Sequence, residues 1–146
     1  MPSLTLETAA TIVDGALAHA STLGLNPLTV AVLDAGGHLV AFKRQDRSGI
    51  LRPEIAMGKA WGTLGMGLGG RSLAQRSEIA PAFYTALVGA SAGRVIPVPG
   101  GVLVRDASGD IIGAVGISGD MPDKDEACAI QGIGMAGFDA DVGGSH

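Results

Sequence analysis

"LTVAVLDAGGHLVAFKR", residues 28–44, decides the fold class of this chain. Two runs rich in Val, Leu and Phe flank Ala35, Gly36 and Gly37, the pattern of two strands joined by a tight turn. Strands joined this way pair antiparallel. A second stretch repeats the pattern at 100–118: "GGVLVRD", the turn "ASGD", then "IIGAVGIS".

Helical spacing occupies the chain between and outside these hairpins. Thr5 suits an N-cap for apolar positions Ala9, Ile12, Val13, Ala16, Leu17 and Ala20, and Gly24, Asn26 and Pro27 end the pattern. A further helix is expected from Pro53 to about Met66, with proline at its first position. "SLAQRSEIA" and "PAFYTALVG" read as shorter helices divided by Pro81, and Pro122 opens a last helix through "DEACAIQGIGMAGF". The order predicts a single α+β domain over residues 1–146, with helices packed on an antiparallel sheet of about five strands. Residues from about 138 to 146 read as a flexible tail.

Composition narrows the function. In a chain of 146 residues, 47% are hydrophobic and 16% charged, which is a globular balance. A net charge of −4, no basic run and 3% aromatics argue against nucleic-acid binding. No apolar stretch approaches the roughly 20 residues that span a bilayer, so no membrane partner is expected. The first residues, "MPSLTLETAATIVDG", carry acids where a secretory leader carries bases, so a cytoplasmic location is expected. The lone Cys128 excludes an internal disulfide. Glycine is the outlier at 24 residues, and it falls at corners and within helical stretches, where close backbone approach to a neighbour or ligand would repay its cost.

Four stretches in order, "VAVLDAGGHLVAFKRQD" (30–46), "EIAMGKA" (54–60), "IPVPGGVLV" (96–104) and "GAVGISGDMPDKDEACA" (113–129), resemble the GlcG/HbpS-like family, also seen as the carboxy-terminal domain of PduO-type proteins. The resemblance runs from the first helix to about Gly137. It implies a profilin-like antiparallel sheet, assembly into homo-oligomers, and in some members the binding of haem or a related tetrapyrrole. Others belong to small-molecule catabolism. The "DEACA" start of the last helix departs from the looser polar start of the family and leaves room for an enzymatic branch.

Two functional readings follow. The first is a binding protein for haem or another small carboxylated ligand, with a pocket built from Asp34, Gly36, Gly37 and His38, the Lys59 helix, Pro99, Gly100 and Gly101, and Ser118, Gly119 and Asp120. Arg44, Arg52 and Glu54 are further candidate contacts. His19 and His38 are candidate iron ligands, since imidazole is a common haem ligand. The second is a cofactor-independent lyase, isomerase or hydrolase for a small organic acid, with Lys59, Glu126 and Cys128 as acid, base or nucleophile. Each residue also has a plain structural reading: Asp34 as a turn former, both histidines as surface or boundary residues, Cys128 as a buried hydrophobe. The two glycine corners converging on a helix amino terminus would suit a carboxylate or propionate.

Overall fold

Helix α1 (Leu6–Leu23) starts and stops where local chemistry dictates in the computed structural model, which describes residues 3–144. The Thr5 hydroxyl accepts from the Thr8 N–H at 3.1 Å, and the Gly24 N–H donates back to the Ala20 and Ser21 carbonyls. Strands β1 (Thr29–Asp34) and β2 (Leu39–Arg44) form the first hairpin, and β3 (Gly101–Arg105) and β4 (Ile111–Ser118) the second. Between them lie α2 (Arg52–Met66), α3 (Gly70–Ile79) and α4 (Pro81–Ala90), and α5 (Pro122–Met135) follows β4. Both Pro53 and Pro122 open their helices.

The two hairpins are joined through β1 and β4, which pair antiparallel from Thr29↔Ser118 to Asp34↔Gly113. The sheet order is β2-β1-β4-β3-β5. Its alternation sorts the core. Val30, Val32, Val102, Val104, Val115 and Ile117 face α1 and α5 across Ile12, Val13, Cys128, Ala129 and Ile133. Leu33, Leu103 and Ala114 face α2 at Ala60 on the other side. Each of the buried Val, Leu and Ile side chains contributes about 1.5–3 kcal/mol by leaving water.

Strand β5 (Asp139–Asp141) lies within the segment read from the sequence as a tail. It pairs with β3 from Leu103↔Asp141 to Arg105↔Asp139, and the Arg105 Nε donates to the Asp141 carboxylate at 2.9 Å. Beyond it the Val142 carbonyl accepts the Arg71 N–H at 2.9 Å, and the Gly144 N–H donates to the Ser72 hydroxyl at 3.0 Å. This edge strand is held by backbone bonds and one ion pair, so it has no apolar run for sequence reading to detect. His146 lies outside the described residues.

Candidate functional site

The corner at Pro99, Gly100 and Gly101 and the corner at Ser118, Gly119 and Asp120 meet within one chain. The Ile117 N–H donates to the Gly100 carbonyl at 3.0 Å. Beneath them lies Lys59, only 3% exposed, whose ammonium donates to the Ile117 carbonyl at 2.8 Å and to the Asp125 carboxylate at 3.2 Å. The other Asp125 oxygen accepts the Asp120 N–H at 3.1 Å. The anion expected between the corners is therefore the chain's own side chain. Gly100 is required here: its φ is +114°, and a Cβ would sit 2.9 Å from the Lys59 Nζ.

Burial pushes both members of this pair toward neutrality. Desolvation lowers the pKa of Lys59, against the charge and hydrogen bond of Asp125. Desolvation likewise raises that of Asp125, against Lys59 and the Asp120 N–H. Held by a backbone carbonyl and a carboxylate inside the fold, Lys59 has the surroundings of a structural ion pair.

The other proposed catalytic groups are also enclosed. Glu126 is 2% exposed and pairs with the guanidinium of Arg71. Cys128 is wholly buried in the core against α1, and desolvation, with the charges of Asp125 and Asp120, pushes its thiol up to about 11. A protonated thiol without solvent access has no route to attack a substrate. Arg52 donates to the Ser118 hydroxyl at 3.0 Å, and Arg44 to the Ser48 carbonyl at 2.7 Å. Arg44 also borders a shallow recess of about 580 Å³ with Lys43, Gln45 and Asp46.

At the β1–β2 turn, one Asp34 oxygen accepts the N–H groups of Gly36 at 2.9 Å and His38 at 3.0 Å, and lies 3.1 Å from the His38 Nδ1. Burial raises the Asp34 pKa, but the His38 backbone N–H, its ring and the Gly36 N–H outweigh it, and the carboxyl rests below its ordinary value. The His38 side chain is 79% exposed. His19 lies on α1, and His38 adjoins the Leu33↔Leu39 end of the hairpin.

What the fold does assemble is a cleft on the α2 face, about 340 Å³ in volume. Leu33 and Leu39 from the first hairpin, Met57 and Trp61 from α2, and Ala92, Gly93 and Arg94 from the loop after α4 form its walls; Gly37 and Glu54, both singled out in the sequence, complete it. The Arg94 guanidinium carbon lies 4.3 Å from the centre of the Trp61 ring. Flat apolar walls with one cation and one acid can hold a planar organic molecule and orient its polar end. Sequence reading missed Arg94 and gave Trp61 no role. The available signal was the chain's single tryptophan, seven residues past Glu54 on the same helix.

The model of the family described as "Haem degrading protein HbpS-like" matches residues 4–134. The chain belongs to the HbpS-like family. Among solved structures of this fold, one described as a PduOC:heme complex is 25% identical, covers 94% of this chain and 97% of its own, and superposes with a TM-score of 0.84. HbpS itself is 27% identical over 92% of this chain and 90% of its own, with a TM-score of 0.78. The Klebsiella pneumoniae protein ORFY, at 23% identity and a TM-score of 0.84, covers 94% of this chain and 92% of its own and shares the fold. No curated protein matches the chain. Membership in the HbpS-like family agrees with the α+β architecture and its five-stranded antiparallel sheet. Among the described residues no helix is long and apolar enough to cross a membrane.

Proposed function

We propose that this HbpS-like chain binds haem, a related tetrapyrrole or another small planar carboxylated molecule in the Trp61 cleft, and works as a cytoplasmic homo-oligomer. The carrying observation is the cleft itself: Leu33, Leu39, Met57 and Trp61 supply the apolar faces that a planar ligand needs. Its volume of about 340 Å³ lies at the lower end of the range for ligand pockets, so a macrocycle would leave one edge outside. An oligomeric neighbour would cover that edge. The haem complex of the PduOC structure and the family description support haem over other planar ligands.

A porphyrin plane lying on these apolar walls would meet a different candidate iron ligand from the two histidines. His19 and His38 do not line it, whereas the Met57 thioether does. Met57 is the residue on the cleft wall that would hold the iron, a ligand type used in electron-transfer haem proteins. The enzyme reading built on Lys59, Glu126 and Cys128 gains no support, because all three are buried and none borders the cleft.

Haemin titration followed at the Soret band tests the reading. Saturable binding is expected, weakened about tenfold or more when Leu39→Glu places an acid on the cleft wall. Met57→Ala should alter the Soret position without abolishing binding. Absence of binding by the unmodified chain would refute the haem reading. Unaltered affinity in Leu39→Glu would move the site away from Trp61.

A further inference from the structure

Arg94 is the cation that borders the Trp61 cleft. Lys43, Lys59, Arg71 and Arg105 each pair with a carboxylate of the same chain. Among the described residues Arg94 forms no ion pair, although it borders the same cleft as Glu54. Its side chain is nevertheless fixed. The Nε donates to the Ser91 carbonyl at 3.0 Å, and the guanidinium carbon lies 4.3 Å from the Trp61 ring centre. The loop carrying it is shaped for this. Ala92 and Gly93 both adopt left-handed backbone, φ 58° and 79°, and the Gly93 N–H closes on the Val88 carbonyl at 2.8 Å. A left-handed alanine carries strain, and such strain concentrates at ligand clamps.

From this geometry we infer that Arg94 is the specificity-determining residue of the cleft: it reads a carboxylate on a planar apolar ligand. With the Nε taken by Ser91 and the ring face covered by Trp61, the paired Nη groups form the edge left for a carboxylate fork. Glu54 repels an acid from its own side of the cleft and so sets the ligand's direction. The ligand class is a flat hydrophobic acid, whether a porphyrin propionate or a smaller aromatic carboxylate. The inference rests on the Trp61 cleft being the binding site.

The single tryptophan supplies a local reporter, because its indole N–H gives one resonance that responds to changes in its surroundings, the cleft among them. The probes are 2-naphthoate and 2-naphthamide, of equal shape and different charge, titrated into the full chain while that resonance is followed. The acid should bind about tenfold tighter than the amide. Arg94→Gln should remove that preference, and Arg94→Lys should restore part of it, since an ammonium keeps the charge but not the fork. Equal affinities in the unmodified chain, or a preference that survives Arg94→Gln, would overturn the assignment. A parallel haemin titration separates the two claims. Haemin binding with no indole shift by either probe refutes the Arg94 assignment and leaves the haem reading standing; an acid preference without haemin binding supports Arg94 and refutes haem as the ligand.

Discussion

Lys59 shows how burial decides the role of a reactive residue. Its ammonium is held by the Ile117 carbonyl and Asp125 where water does not reach, and desolvation works against both charges. Removing one partner leaves the other charged and unpaired. Lys59→Met alone is expected to cost about 3–5 kcal/mol in urea denaturation, and adding Asp125→Leu to recover most of that loss. Additive losses in the double variant would show that the pair stabilises the fold beyond its own desolvation. Asp120 gives the opposite pH signature. Its carboxylate accepts the Met121 and Asn26 N–H groups, and those bonds hold its pKa below the ordinary value. The unfolded chain then binds more protons than the native one between the native pKa and the usual carboxylate value near ~3.9. Stability from Asp120 is present above that range and lost as pH falls through the native pKa. The urea midpoint should therefore fall on acidification, and fall less in Asp120→Ala; an unchanged slope would remove Asp120 from this role.

At the scale of elements, helix α2 is placed by the strands it crosses. Gly116 of β4 lies under the Ala56 carbonyl, so a Cβ there would collide with helix backbone, which cannot rotate aside as a side chain does. Gly116→Ala should therefore destabilise by about 1–3 kcal/mol, read from thermal or urea unfolding, and should also disturb the cleft that α2 carries at Met57 and Trp61. A variant of native stability would mean that α2 can lift off the sheet at little cost. The glycine excess noticed in the sequence has its explanation here. Its positions in β4 and in the corner over Lys59 serve contacts between elements, and only the sheet-and-helix packing shows which ones.

The whole molecule leaves apolar side chains outside. On α3 and α4, Ile79 is 83% and Phe83 55% exposed, and Tyr84 is the only buried residue of α4. Contiguous exposed apolar surface of this kind marks association sites. If the chain assembles through this face, Phe83→Glu should shift light-scattering mass toward the monomer with the fold intact by circular dichroism. An unchanged mass would place any interface elsewhere.

Much of the architecture was legible in the residues. Turn chemistry at Gly36 and Gly37, the Thr5 cap, and Pro53, Pro81 and Pro122 at helix starts are local signals, and each acts where it is written. The pairing of β1 with β4 and the short strand β5 depend on backbone partners far along the chain, which no local pattern encodes. The site follows the same division. The corner expected to hold an anion is filled by Asp125, and neither histidine borders the Trp61 cleft. Trp61 and Arg94 meet because the loop after α4 folds back over α2. The sequence by itself determined the elements, the antiparallel hairpins and the family resemblance, since these rest on interactions between near neighbours. Which charges are sealed in and which border a cleft was decided only by the tertiary structure, because burial and partner geometry exist only once distant segments pack.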